Sequence, residues 1–336
     1  MGIPFGILDQ SIVFPGQTPI EALQNTVKLA QFAERRGFRR FWVSEHHDSP
    51  QMAGSSPEVL ISHLLAKTEK IRIGSGGVML QHYSPYKVAE NFNVLASLAP
   101  GRVDLGIGRA PGGLPRSTKA LQQGAGDGKS LGGKLAELEG YLHGRTEEEH
   151  PLAGIQANPL PEQPAGIYLL GTSVSSAELA AERGYPYAFA LFINSDYETA
   201  KAAFRAYRDG FNRARGTEPY AILAHSAIVA DTEEEAGELA GTFKSVRVTL
   251  ASGKTVNVGS LEAAEEFARQ AGESFTAEVR EADIAKGTKE TVRKRLLELQ
   301  QEYGVDEFIF TTILGDFERR LRSFELLAEA FEELPV

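Results

Sequence analysis

The sequence predicts an α/β fold of one kind, a (β/α)₈ TIM barrel with long excursions after strands four and seven. Three observations carry this expectation. Short runs rich in β-branched and aromatic residues alternate with longer segments of helical periodicity almost to the C-terminus. Counting gives eight such strand segments, and strands separated by helices pair in parallel with both faces covered. The first strand is followed by LDQSIVFPG, without the glycine-rich phosphate loop that opens a doubly wound sheet.

In order, IPFGILD supplies strand one, and the helix after Pro19 is expected to bury Ile20, Leu23, Val27 and Ala30 and to close at Gly37. FRRFWVSE is strand two. SSPEVLISHLLAKT is helix two, with Ser56 as N-cap and Pro57 at the first helical position. KIRIGSGGVML is strand three, and the helix behind it carries Val88, Phe92, Leu95 and Leu98 in register. GRVDLGIGR is strand four. From 110 to 165 the pattern loosens into a covering excursion rich in glycine and proline, with one helical piece at KLAELEGYL and an acidic patch at Glu147 to Glu149. IYLLG, SSAELAAERG, YAFALFI and a helix from Tyr197 to Arg215 restore the alternation. AILAHSAIVA and TEEEAGELAGTF follow, and then a second excursion over 244 to 286. The helix TKETVRKRLLELQQEY, the strand VDEFIFTTIL and a helix burying Leu321, Phe324, Leu327 and Phe331 complete the series.

The 336 residues are read as a single domain, 1–336, large enough for a substantial core. With 45 acidic against 35 basic residues the net charge is -10, which argues against a general nucleic-acid or anionic-membrane surface and favours small-molecule chemistry. There is no cysteine, which excludes disulfides, thiolate metal sites and cysteine nucleophiles. MGIPFGILDQ lacks a basic n-region, and no apolar run reaches the ~18 residues of a membrane span. A cytoplasmic enzyme is the expected class.

Chemistry in a (β/α)₈ barrel lies at the C-terminal ends of the strands. Strand two ends in WVSEHHD. Alternation puts Phe41 and Val43 on the helix-facing side and turns Trp42, Ser44 and His46 into the barrel mouth. Adjacent histidines on extended backbone diverge and no third ligand accompanies them, so no metal site is expected. An acid/base role for His46 and an ordinary strand-end histidine remain equally open on this pattern alone. Strand four ends GIGRAPGG, where Pro111 takes the place of the third glycine of a dinucleotide fingerprint. Val103, Leu105 and Ile107 face the helices, Asp104, Gly106 and Gly108 face inward, and Arg109 stands at the rim. Its fork suits a phosphate or a surface ion pair. The turn Gly171, Thr172, Ser173 opens a helix whose N-terminus suits an anion, and Thr172, Ser173, Ser175 and Ser176 exceed what one cap requires. Gly76 and Gly77 would let a flat ring approach the backbone, or would merely bend a barrel strand.

WVSEHH, RIGSGGVMLQHYSPYKVAE, GRVDLGIGRAPGG, LLGTSVSSA and KGTKETVRKRLLELQQEYGVDEFIF together resemble the bacterial luciferase-like flavin monooxygenase family over nearly the whole chain. The resemblance implies a barrel binding reduced FMN at its C-terminal mouth. It implies His46 in acid/base chemistry beside the flavin, and Arg109 on the FMN phosphate with Gly171, Thr172 and Ser173 completing that site. It also implies Gly76 and Gly77, often joined by a non-prolyl cis peptide, against the isoalloxazine. The segment 244–286 takes the place of the family's mobile active-site loop. The implied partners are a small organic substrate, O2 and a separate flavin reductase, since no nicotinamide fingerprint is present, with a homodimer as the common assembly. The luciferase catalytic subunit has a reactive cysteine where this chain has Gly108, so light emission and aldehyde use are not implied. Two other readings stand beside monooxygenation: F420-dependent hydride transfer in the same fold, and a non-catalytic flavin-binding protein.

Overall fold

The computed structural model describes residues 3–123, 128–145, 150–241, 243–253 and 255–331; the acidic patch at Glu147 to Glu149 lies outside them. Strands β1 (Phe5–Asp9), β2 (Arg40–Val43), β3 (Arg72–Met79), β4 (Val103–Gly108), β5 (Gly166–Gly171), β6 (Tyr187–Ala190) and β7 (Ala221–Val229) pair in parallel in sequence order. Four further strands follow, β8 (Lys244–Leu250), β9 (Thr255–Val258), β10 (Phe275–Glu281) and β11 (Ile284–Gly287). Then β12 (Glu307–Thr311) inserts between β7 and β1 and closes the eight-stranded barrel. The helices α1 (Pro19–Arg35), α2 (Pro57–Lys67) and α3 (Pro85–Leu98) follow the first three strands, and α4 (Pro115–Leu121) and α5 (Leu131–Leu142) follow β4. Next come α6 (Val174–Arg183), α7 (Tyr197–Asp209), α8 (Glu233–Ala240), α9 (Leu261–Ala271), α10 (Lys289–Tyr303) and α11 (Phe317–Phe331). Among the described residues no helix is long and apolar enough to cross a membrane.

Side-chain alternation divides the core in two. Phe41, Val43, Val103, Leu105 and Ile107 join the outer core between strands and helices, as their spacing predicts. Leu8, Trp42, Ala188, Ile222, Ala224 and Ile309 fill the barrel interior. Beneath that plug, near the strand starts, Arg40 is fully buried between Asp104 (Nη1 to Oδ2, 2.6 Å) and Glu307 (Nε to Oε1, 2.6 Å). Burial works against its charge, but the two carboxylates outweigh that and hold its pKa above the ordinary value. Trp42 Nε1 and Arg72 also donate to Asp104, so the barrel floor is closed by satisfied charges.

Several local expectations need correction. The buried stripe of α1 is Ala22, Thr26, Leu29, Ala30 and Ala33, while Ile20 is 68% exposed; the helix is rotated so that small residues meet the barrel. Leu98, at the end of α3, is 69% exposed for the same reason of position. Ser56 is the N-cap of α2, yet its hydroxyl makes no cap bond. The helix begun at Tyr197 stops at Asp209, and a separate 3₁₀ turn follows it at Arg213–Arg215. The segment 244–286 is regular for most of its length. β10, β8 and β9 form an antiparallel sheet whose Val246, Val248 and Leu250 pack on Ala264, Phe267 and Ala268 of α9. Leu114 packs against this small core, Arg116 N donates to Gln270 Oε1 at 3.0 Å, and Asn257 Nδ2 donates to Ile193 O at 2.6 Å. The unit is thereby docked on the loops that follow β4 and β6. β11 then pairs in parallel with the last residues of β7, Ser226 to Val229.

Candidate active site

The residues singled out in the sequence lie at the C-terminal ends of four successive strands. Val43 is paired with Ser75, Gly76 with Gly106, and Ile107 with Leu169. Two residues beyond that last pair stand Arg109, just past the end of β4, and Gly171, the last residue of β5. The strand order therefore sets Ser44 and His46, Gly76 and Gly77, Arg109, and the Gly171–Ser173 turn along one arc of the mouth.

Ser44 and His46 follow the inward side of β2. Ser44 Oγ lies 3.0 Å from His46 Nδ1, and the His46 backbone N–H donates to Gly54 O at 2.9 Å. Nε2 has no partner among the described residues. Burial first, then the neighbouring His47, lowers the His46 pKa below the ordinary imidazole value, with Glu45 pulling the other way. The ring is therefore held neutral in water near pH 7 and presents an available nitrogen to the mouth.

Gly76 and Gly77 are joined by a cis peptide bond, and the β3–β4 register shifts between Gly76 and Val78. A Cβ at Gly76 would meet Leu8 Cδ1 at 2.7 Å, and one at Gly77 would meet Gly106 O at 2.7 Å. Gly77 is thus required by the close approach of the β4 backbone, whereas at Gly76 the nearest group is the end of the Leu8 side chain.

Arg109 is exposed and makes no ion pair or hydrogen bond among the described residues, so the surface ion pair allowed by its position is not formed. After β5, Ser173 and Ser176 form a reciprocal capping box that starts α6, and Ser175 Oγ lies 3.1 Å from Ser173 Oγ. Of the four hydroxyls, that leaves Thr172 without a hydrogen bond among the described residues, its backbone carbonyl accepting from Asn194 Nδ2 at 2.9 Å. Val174 and Ser175 open the helix, and their N–H groups have no intrahelical acceptor. An unpaired guanidinium, a free hydroxyl and a helix N-terminus form a donor set suited to a phosphate monoester.

Sequence reasoning passed over Glu45. It is fully buried on the opposite side of the strand from His46. His47 Nε2 and Tyr83 Oη donate to its Oε1, each at 2.7 Å, and Met79 N–H donates to Oε2 at 3.1 Å. Burial, then this carboxylate, raises the Tyr83 pKa above the ordinary phenol range. Glu45 therefore ties the ends of β2 and β3 together just past the glycine pair, and it occupies His47. Its helix-side parity, shared with Phe41 and Val43, was the signal available in the sequence. Among the described residues no three His, Asp or Glu side chains converge to hold a metal ion.

A family model described as luciferase-like monooxygenase matches residues 3–307. The N-acetyl-S-alkylcysteine monooxygenase of Bacillus subtilis (strain 168) is 44% identical over 330 residues, spanning 98% of this chain and 98% of that protein. The crystal structure of apo-MsnO8 superposes with a TM-score of 0.79 at 33% identity, covering 100% of this chain and 99% of that one. At the level of fold alone, two ligand-bound structures are similar. One is the oxygenating constituent of 3,6-diketocamphane monooxygenase from Pseudomonas putida in complex with FMN (TM-score 0.72, 18% identity, 100% and 99% coverage). The other is an F420-dependent secondary alcohol dehydrogenase with an F420-acetone adduct (TM-score 0.67, 17% identity, 99% and 100% coverage).

Proposed function

The chain belongs to the luciferase-like monooxygenase family of flavin-dependent oxidoreductases, and from that premise we propose that it is a cytoplasmic, FMN-dependent monooxygenase of the two-component type. The observation that carries this reading is the unpaired Arg109 beside the Gly171–Ser173 turn. The reading gives Arg109, Thr172 and the N-terminus of α6 to the FMN phosphate, and the surface around Gly76 and Gly77 to the flavin ring. Reduced FMN, when bound, supplies the two electrons with which dioxygen is activated. The protein's own part is to hold the ring over the apolar plug, to exclude water, and to hold or move a proton at His46 Nε2. The β8–β11 unit, docked on the loops after β4 and β6, would cover the mouth, and its movement would admit substrate. A separate reductase delivers the reduced flavin, because GIGRAPGG is not a nicotinamide fingerprint. A homodimer is the assembly this reading carries.

F420 also bears a phosphate, so Arg109 does not separate the two cofactors by itself. The test measures binding of FMN, reduced FMN and F420 to the purified protein, and oxygen uptake with reduced FMN across a substrate panel. N-acetyl-S-alkylcysteines, the class in the name of the 44% identical relative, head that panel. Substrate-dependent oxygen uptake supports the reading. Tighter binding of F420 with no oxygen uptake would replace it by hydride transfer, and reduced flavin decaying in air as it does free in solution would reduce it to flavin binding.

A further inference from the structure

Past Gly108 the segment carrying Arg109 leaves the sheet, yet three consecutive carbonyls in it are each taken by a different donor. Gln81 Nε2 donates to Ala110 O at 3.0 Å, His82 Nε2 to Pro111 O at 2.8 Å, and the His47 N–H to Gly112 O at 2.8 Å. Among the described residues no backbone hydrogen bond within the segment fixes its path. Pro111 has no N–H to give, and Gly112 sits at a φ of +66°, where the chain turns out of any regular structure.

Two of the three donors stand on the 3₁₀ turn Leu80–His82 behind β3, and that turn is braced from the first excursion. Lys134 Nζ on α5, buried, donates to Gln81 O at 3.3 Å and Tyr83 O at 3.2 Å. Of the two side chains, Gln81 is half-buried and has three torsions. His82 is 2% exposed, has two torsions, and both of its ring nitrogens are engaged. A carbonyl can only accept, so Nε2 carries the hydrogen, and Nδ1 is left to accept from Gln122 Nε2 at 3.2 Å. The tautomer and the ring orientation are fixed from both sides.

We propose that His82 is a positioning residue that aims Arg109: by holding Pro111 O it sets the path of the chain two residues after the guanidinium, and with it the preference of the site for a phosphorylated over an unphosphorylated flavin. His82 touches no cofactor in this arrangement and acts only through the segment it holds. The inference rests on the reading of Arg109 as the phosphate contact.

The test measures the dissociation constants of FMN and of riboflavin for the purified full-length protein. The side chain of His82→Gln places an amide N–H near the position of imidazole Nε2, whereas that of His82→Asn reaches only to the position of Nδ1. His82→Asn and His82→Leu are expected to lower the FMN-over-riboflavin preference about tenfold, the scale of a contact to a charged group lost through misplacement. Riboflavin affinity should change less than about twofold, and His82→Gln should recover most of the preference. The polar Asn variant keeps the test open if the Leu variant does not fold. Equal losses for both flavins, or failure of Gln to differ from Asn, would mark a merely structural role and overturn the proposal. Arg109→Ala separates the two layers. If it leaves the preference intact, the phosphate reading falls and the proposal with it; if it abolishes the preference while His82→Asn retains it, the proposal alone is overturned.

Discussion

Ser44 Oγ lies 3.0 Å from His46 Nδ1, so the hydroxyl two residues earlier fixes which imidazole nitrogen is left for chemistry. With Nδ1 engaged, Nε2 is the atom that can take or give a proton, and burial keeps the ring neutral to a lower pH than a free histidine. Under the proposed reading His46→Ala should retain FMN affinity and lose about 10²-fold or more in turnover. Ser44→Ala, which frees the ring to rotate, should cost about fivefold, the value of one neutral hydrogen bond. If His46 acts as a base, turnover persists as pH falls through the ordinary imidazole range and is lost only below it. A rate that instead falls as pH rises through that same lowered value, below the ordinary imidazole range, would assign it the acid role.

Glu45 gives a second expectation, because three donors converge on one buried carboxylate. Glu45→Leu leaves the His47 and Tyr83 groups and the Met79 N–H unsatisfied, at about 1–3 kcal/mol each. Tyr83→Phe removes one donor and leaves the other two satisfied, and it should cost only about 1 kcal/mol. Urea unfolding of the two variants checks the ordering; equal costs would show that Glu45 is not the hub of this contact.

How far the sequence carried these conclusions depends on the range of the interactions. Two-residue alternation is local, and it set Phe41 and Val43 outward and Trp42 inward, and likewise Val103, Leu105 and Ile107 outward. It also turned Asp104 inward, but not toward Arg40 and Arg72, which lie 64 and 32 residues away and meet it only when the barrel closes. For α1 the apolar pattern pointed to Ile20, and packing chose small residues instead, because helices sit close to a barrel where Ala22, Ala30 and Ala33 face it. The unit after β7 left a signal that the reading as a loop passed over. Val246, Val248 and Leu250 alternate as a half-buried strand does, and Phe267 lies on the buried stripe of α9. His82 carried no signal, since its partners are the Pro111 backbone carbonyl and the Gln122 side-chain amide, which meet it only once the turn after β3 is formed.

The barrel floor gives a third expectation. Removing one member of a buried ionic network strands its partners, so Arg40→Met should destabilise by about 3–5 kcal/mol. Arg72 still faces Asp104, while Glu307 keeps Tyr220 Oη at 2.7 Å and the more distant Arg39 at 3.8 Å. Flavin affinity measured on the folded fraction should be unchanged, because the network lies at the end of the barrel away from the mouth. A loss below about 1 kcal/mol would show that water or rearranged arginines repair the site.

The last expectation concerns His225, on β7 opposite Phe310 of β12 and 1% exposed. Alternation sets it with Leu223 and Ala227 on the helix-facing side, and its Nδ1 has no hydrogen-bond partner. Asp283, just before β11, faces the same region with an unpartnered Oδ2, while its Oδ1 accepts from Tyr197 Oη at 3.1 Å; Arg295 stacks over the Tyr197 ring. Burial pushes the His225 pKa down from 6.5 to about 4, and Asp283 opposes that only in part. Below pH 6.5 the unfolded chain therefore takes up a proton that the folded protein refuses until about pH 4. The stability tied to this residue is complete above 6.5, falls as the pH drops from 6.5 to 4, and is constant below, a total on the order of 3 kcal/mol. His225→Leu removes the titration and fills the same apolar surroundings, so its unfolding free energy should vary less with pH across that window than the wild type's. Carboxylates shared by both proteins cancel when the comparison is the difference between the two proteins at each pH. A difference that stays constant from pH 7 to pH 4 would mean that His225 is protonated, or reached by water, in the folded state.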